Sequence, residues 1–343
     1  MNKRSKQLLS GLLIFCLAVF AAGCAGGGAG APGGTGAPPP ESEAAAPGPD
    51  SGGGEIENIR FMAASAGGEW YPIAVAISEG WKEIGISSTV LPGGGASNVL
   101  GLAQDKGDVG FTFSVTAVDG IEGNEPFEQP LEGYKALCCL TSSYVQPVVY
   151  EDSGINSIAD LKGKRINVYT KGYTSELNAR LVLKAYGLTY DDMKGVDYLS
   201  DDDAIDQLKD GHLDCTISTG SIPDAGFIDM ASVRPLKVLE MEPEMIETAT
   251  GLNAGLYPAV IPAGTYDIPQ DVNTLGTKLM LIARGDLPEE VVYELTRGIH
   301  NSLETLYNVN SNLREVTIET MASDCGIDYH PGAVSYYQEH GAL

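Results

Sequence analysis

Positive charge is what this sequence has least of. Lys and Arg number 21 against 46 Asp and Glu, a formal net charge of −25 at pH 7, and no basic run reverses that balance locally. Nucleic acid and anionic lipid surfaces would repel such a chain, which excludes both as electrostatic partners. A small ligand is not excluded, because a cleft can be locally positive inside an acidic protein. Histidine is scarcer still: His212, His300, His330 and His340 fall in turns or near predicted helix ends, where solvation or capping suits them better than catalysis. Cysteine is sparse too. Beyond residue 24 only Cys138, Cys139, Cys215 and Cys325 remain, with no C-x-x-C or His/Cys spacing for a metal. Cys138 and Cys139 adjoin in a predicted strand, where neighbouring side chains point to opposite faces, so no bridge between them is expected. All four read as buried thiols acting as small apolar residues. H-E-x-x-H and G-x-S-x-G are missing, and S-x-x-K is missing beyond residue 23. Asp201-Asp202-Asp203 lacks the glycine and terminal glutamate of a calcium loop and reads as acidic residues at a helix N-terminus. No metal or cofactor is expected, and an enzyme is the weakest reading.

One long apolar run is present, at the start. Lys3, Arg4 and Lys6 precede an almost purely apolar Leu8 to Phe20, followed by Ala21-Ala22-Gly23-Cys24. That run is too short and wrongly flanked for a permanent spanning helix, and residues 1–23 read as a signal peptide that is removed. The stretch resembles a bacterial lipobox, in which the thiol of Cys24 receives a diacylglyceryl group before cleavage, although Ala21 stands where Leu is commoner. An ordinary secretory peptide with an incidental cysteine is the alternative. Residues 24–54 are nearly all Gly, Ala, Pro, Ser and acidic side chains, with almost nothing to bury. They form a tether whose root-mean-square reach is roughly 30 Å. Two or more acyl chains would make the attachment stable. The expected location is extracytoplasmic, lipid-anchored to a membrane in the periplasm or on the outer face of the cell.

From residue 55 onward strand-like runs alternate with helical patterns, which argues for α/β architecture with mostly parallel sheets. Strands are predicted at 59–64, 88–91, 109–112, 134–139 and 145–150, with helices at 71–83 and 98–104. The pattern restarts after Glu151. A short helix at 157–162 opens on a serine cap, followed by a strand at 165–169, helices at 175–186 and 201–209, and strands at 213–218 and 233–241. A short helix starts at Pro243, a strand runs from Thr277 to Ala283, and Asp286-Leu287-Pro288-Glu289 opens a helix to about Asn308. A last helix begins near Pro331. No repeat of 20–50 residues is visible. Two lobes follow from the restart: 55–149 with 266–343, and 150–265.

Three strand ends run into small-residue turns that open helices: Ala64 to Pro72, Pro92 to Asn98, and Tyr169 to Ser175. Each puts free backbone N–H groups and the positive end of a helix dipole at the carboxyl edge of a sheet, where open α/β proteins bind ligands. Together they suit a small anionic or zwitterionic molecule, although glycine in any one of them could serve only to turn the chain. None of the three fits G-x-x-x-x-G-K-[ST] or G-x-G-x-x-G, so a nucleotide phosphate is not indicated. Lys171 could meet a carboxylate and Glu69 an amino group; two isolated surface charges are the alternative.

The ordered set of motifs is similar to the TAXI family of solute receptors for TRAP (tripartite ATP-independent periplasmic) transporters. It comprises Gly67-Gly68 with Trp70-Tyr71-Pro72, Gly93-Gly94-Gly95-Ala96-Ser97-Asn98 and Asp160-Leu161-Lys162-Gly163-Lys164-Arg165. Further on come Leu208-Lys209-Asp210-Gly211-His212-Leu213-Asp214, Ile261-Pro262-Ala263-Gly264, Asp286-Leu287-Pro288-Glu289 and His330-Pro331-Gly332-Ala333. The resemblance covers residues 57–337. It implies a two-lobed type II periplasmic-binding-protein-like fold, with two mostly parallel sheets flanked by helices and a hinge of crossing strands near Val148 to Glu151 and Ala263 to Leu281. It also implies closure on a small carboxylate-type solute, glutamate and glutamine among the family's ligands, and delivery to TRAP membrane subunits; a monomer is the expected state. Family turns map onto Gly67, Gly68, Trp70 and Tyr71; onto Gly95, Ser97 and Asn98; and onto Phe113, Ser114 and Thr116. The remaining ones map onto Thr170, Lys171, Gly172, Tyr173, Thr174 and Ser175, and onto Thr219 and Pro223. Tyr173-Thr174-Ser175 departs from the family's usual Ser-Gly-Thr, and Glu69 from its usual Val or Ala. Receptors that feed a sensor kinase or an ATP-driven importer share the fold and remain alternatives.

Overall fold

The computed structural model describes residues 58–64 and 67–343; the signal peptide, Cys24 and the tether lie outside the described residues. Alternation begins with β1 (Asn58–Met62), α1 (Trp70–Glu83), β2 (Ser87–Leu91), α2 (Gly95–Ala103), β3 (Val109–Phe113) and α3 (Ser114–Glu122). A 17-residue strand, β4 (Tyr134–Tyr150), leads to β5 (Arg165–Asn167), α4 (Thr174–Ala185), β6 (Gly195–Asp197) and α5 (Asp201–Lys209). Next come β7 (Cys215–Gly220), α6 (Ala225–Val233), β8 (Leu236–Val238), α7 (Pro243–Leu252) and β9 (Leu256–Ile261). The 13-residue β10 (Val272–Arg284) returns the chain to α8 (Glu289–Asn301), α9 (Leu303–Val309), α10 (Ile318–Met321) and α11 (Pro331–Glu339).

Among the described residues, ten strands form one sheet, ordered β2-β1-β3-β10-β4-β7-β5-β6, with β8 on β4 and β9 on β10. The two parallel groups expected from the alternation are there: β1 lies parallel to β2 and β3, and β5 parallel to β6 and β7. They are not separate sheets. β4 and β10 run antiparallel to each other and to the flanking strands, and join both groups. β10 pairs with β9 over Val272–Thr277 and with β3 over Leu279–Ala283, so one strand changes group midway. β4 changes likewise, from β10 up to Tyr144 to β7 and β8 beyond it. The polar Ser142-Ser143-Tyr144 stretch, read from sequence as a gap between two strands, is this crossing.

The buried side chains divide along the same line. Phe61, Trp81, Leu281, Ile299 and Tyr337 belong to a core over the first group, and Ile166, Val182, Ile217 and Ile246 to one over the second. Each group is tied by the same clamp. Arg60 in β1 donates through its backbone N and Nε to Asp108 Oδ2 at 2.7 and 3.0 Å, and Arg165 in β5 donates likewise to Asp214 Oδ2 at 2.8 and 3.2 Å. Arg165 holds the Asp214 carboxyl below its usual range. The pairs are separated by 48 and 49 residues.

Several elements depart from the sequence reading, among them α3, β9 and β8. α3 is not expected from sequence because Ser114 through Gly120 are all buried, so no amphipathic stripe marks it. β9 carries Pro258 and pairs only with β10, an edge position where a missing N–H is tolerated. The strand expected over 233–241 is cut to Leu236–Val238 because α6 runs to Val233. In the C-terminal part Asp286 does not cap α8: it pairs with Arg284, and Pro288 occupies the N-cap. The helix breaks at Ser302, whose hydroxyl donates to the Gly298 carbonyl at 2.7 Å.

The four described cysteines are free and buried. Burial pushes the Cys138 and Cys215 thiols up, whereas the Cys139 thiol lies 3.4 Å from the Ser323 carbonyl and 3.3 Å from the Tyr329 hydroxyl. Asp119 is 4% exposed and accepts from Asn253 at 2.8 Å and Asn124 at 3.3 Å. Burial outweighs those bonds and pushes its carboxyl up to about 6. A raised folded value means the protonated form contributes stability below pH ~4, and this contribution is lost as pH rises through about 6. Urea unfolding at pH 4, 5, 6 and 7 should show a loss of order 3 kcal/mol in the native protein that is absent from Asp119→Asn.

Candidate functional site

Four helices begin at the carboxyl ends of parallel-group strands: α1 after β1, α2 after β2, α3 after β3 and α4 after β5. In none of the four does the N-cap residue's own side chain cap the first turn. Apart from the Tyr71 N–H, which donates to the Gly68 carbonyl at 3.1 Å, and the Val115 N–H, which donates to Thr277 Oγ1 at 3.4 Å, their first-turn N–H groups can serve an acceptor in front of them. The starts of these helices, with the start of α5, surround a cleft of about 510 Å³. Its size suits a small organic molecule.

One wall comes from the first group of strands. Trp70 opens α1 and packs edge-on to Phe113 at 5.4 Å and against Phe111 at 5.7 Å. Beside them lie Gly93 to Ser97 and the 1% exposed Thr116. Ser97 donates to the Gly94 carbonyl at 2.8 Å, fixing the glycine turn. The opposite wall holds Tyr169 and Gly172 to Ser175, with Asp201 and Thr219. Gly172 sits at φ +80, a left-handed conformation that glycine adopts freely. Tyr169 is at φ +68, which a bulky side chain adopts only under constraint, and its ring meets Tyr173 at 5.8 Å. The Gly172 N–H donates to Glu176 Oε2 at 3.0 Å, while Glu176 Oε1 accepts from Arg180 and Tyr190. That buried glutamate is thus consumed in holding the turn. The two walls touch directly: Thr116 and Thr174 hydroxyls are 3.2 Å apart.

The family model described as NMT1-like matches residues 61–341. The chain belongs to the NMT1-like family. Among solved structures, a TctC solute binding protein from Polaromonas is 15% identical over 83% of this chain and 98% of its own, with a TM-score of 0.51. A Xanthomonas citri protein bound to ATP is 12% identical over 83% and 96%, TM-score 0.50. The periplasmic aliphatic sulphonate binding protein SsuA from Escherichia coli is 16% identical over 83% and 79%, TM-score 0.43. At such identities the likeness is one of fold: a two-lobed periplasmic-binding-protein architecture.

In this NMT1-like chain the structure sorts the site residues expected from sequence. Trp70, Gly95, Ser97, Phe113, Thr116, Gly172, Tyr173, Thr174, Ser175 and Thr219 line the cleft. Gly67, Gly68, Tyr71, Thr170 and Lys171 lie outside its lining, and Lys171 is exposed. Asn98 is fully buried behind the glycine turn. Ser114 is fully buried too, donating to the Gly255 carbonyl at 2.6 Å beneath the start of α3. Pro223 borders a different hollow, with Ile228 and Tyr266. Glu69 does reach the cleft, but its Oε1 accepts from Asn310 at 2.7 Å. One lining residue, Asp201, escapes the sequence reading, because it resembles an ordinary acid at a helix start. Burial pushes the Asp201 carboxyl above its usual range, with the neighbouring Ser218 hydroxyl opposing that shift. None of the four histidines lines the cleft. His330 instead caps α11, accepting from the Gly332 N–H at 3.2 Å, and His300 and His340 each bond Tyr336.

Proposed function

We propose that this NMT1-like chain is an extracytoplasmic receptor that captures a small carboxylate-type solute, glutamine- or glutamate-like, between two lobes and delivers it to the membrane subunits of a TRAP transporter. The observation that carries the reading is the convergence on one aromatic-walled cleft of four helix starts, none capped by its own N-cap side chain. Such N–H groups stabilise a carboxylate without any cationic side chain. Lobes of 55–149 with 266–343, and of 150–265, would close about β4 and β10, with solute contacts from both walls favouring the closed state. The TAXI motifs favour the TRAP partner. Attachment through a lipidated Cys24 and the 24–54 tether would keep the receptor beside its transporter.

Thermal melting of the protein against dicarboxylates, amino acids, sugars and aromatic acids tests this reading. A true ligand at about a thousand times its dissociation constant adds roughly 4 kcal/mol, a shift of roughly 7 °C for a body of this size. No shift across the panel would reject a small-solute receptor of this class. Tyr173 is 60% exposed on the cleft wall, so Tyr173→Ala should leave the unliganded melting point within about 1 °C. Loss of one aromatic face should weaken the ligand that shifts melting by roughly tenfold, measured by calorimetry.

A further inference from the structure

The charges that line the cleft are of one sign. Among the described lining residues there is no Lys, Arg or His, while Glu69 and Asp201 both contribute carboxylates. Their situations differ. Glu69 is exposed at the rim and bonded to Asn310, whereas Asp201 Oδ1 is buried with no hydrogen-bond partner in the protein. The nearby Ser218 hydroxyl favours the charged form, but Asp224 and Asp202 add repulsion. A buried acceptor left without a donor costs about 1–3 kcal/mol, more when it is charged, unless something that enters the cleft supplies the donor. The aromatic faces of Trp70, Phe113, Tyr169 and Tyr173 stand in the same cleft, and such faces attract cations as well as apolar groups.

We infer that Asp201 is the specificity-determining residue of this cleft and that its solute presents a protonated nitrogen to Asp201 while carrying a net charge of zero or above. The inference rests on the reading of the cleft as a solute site and narrows it. A carboxylate of the same solute is served by the helix starts of α2 and α4. A second, uncompensated carboxylate is not, because it would share a low-dielectric cleft with two acids and no cation. Neutral or basic amino acids and related amines therefore fit, whereas dicarboxylates and acidic amino acids are selected against.

The test is a charge series of similar length, L-lysine, L-glutamine, L-glutamate and glutarate, titrated calorimetrically into the native protein and into Asp201→Asn. L-lysine or L-glutamine should bind at least tenfold more tightly than L-glutamate and glutarate. Asp201→Asn should shrink that preference to threefold or less, chiefly by weakening the nitrogen-bearing compound. An unliganded melting point for Asp201→Asn at or above that of the native protein would show that the variant folds; if it falls sharply, Asp201→Glu replaces it and should retain the order of the series at reduced affinity. Glutarate or L-glutamate binding as tightly as the other two, with the Asp201 variant unchanged or tighter, would overturn the inference while leaving the cleft a solute site. Silence of all four probes and of the wider panel would overturn the solute-site reading and this inference with it.

Discussion

Asn98→Ala should destabilise the protein by about 4 kcal/mol. The side chain is 0% exposed and uses every polar atom it has. The two hydrogens of its Nδ2 are shared among the carbonyls of Met62 at 3.1 Å, Ala63 at 2.9 Å and Phe111 at 2.8 Å, while Oδ1 accepts from the Gly94 N–H at 2.9 Å. One amide thus fastens the ends of β1 and β3 to the glycine turn that opens α2. Alanine leaves three carbonyls and one N–H without that partner, and each buried orphan costs about 1–3 kcal/mol before water or relaxation recovers part of it. Asn98→Asp should be worse, because it faces three carbonyls with an acceptor. The urea midpoint should fall without a change in slope; a shift under 1 kcal/mol would mean that the turn is held by something else. The sequence motif places Asn98 against the solute. Its bonds instead make it the support on which that wall rests.

Gly255→Ala is expected to damage the fold and the site together. A methyl at Gly255 would lie 2.4 Å from the carbonyl carbon and oxygen of Ser114 and 2.5 Å from the Val115 nitrogen. All three are backbone atoms, so no side-chain rotation relieves the clash, and the start of α3 must move. Ser114 is tied there on three sides, to the Gly255 carbonyl, to Thr277 at 2.9 Å and to the Lys278 N–H at 2.9 Å. Thr277 and Lys278 are in β10, where that strand passes from one group to the other. Phe113 and Thr116, on either side of the displaced residues, line the cleft. The expected cost is about 3 kcal/mol by denaturant unfolding. A loss of at least tenfold in affinity for the melting-panel ligand should accompany it. Unchanged affinity in a destabilised variant would show that the cleft wall does not depend on this packing.

How far the sequence could be read depended on the kind of signal. α5 begins and ends at the residues expected, Asp201 and Lys209, because a serine cap and three apolar residues on one face mark it without help from neighbours. α11 and the serine-capped turn at Ile158–Leu161 were legible for similar reasons, although the latter is a 3-10 helix. α3 and β9 were not legible: one is buried on every side, and the other contains a proline that only an edge position tolerates. The repeated clamp of Arg60 with Asp108 and Arg165 with Asp214 was invisible for a different reason. Two residues 48 or 49 apart make no local pattern until parallel strands bring them together.

Local chemistry alone determined the alternation of strand and helix, the glycine turns at helix starts, and the absence of a metal or phosphate motif, because caps, turns and apolar periodicity act within a few residues. The motif set extended this to the region that would bind a solute. Only the tertiary structure decided that β4 and β10 weld both strand groups into one sheet, since hydrogen-bond partners across a sheet are chosen by packing. It likewise decided that Asn98 and Ser114 face inward while Tyr169 and Asp201 face the cleft. Burial, unlike helix or turn preference, is set by which distant segment comes to lie alongside.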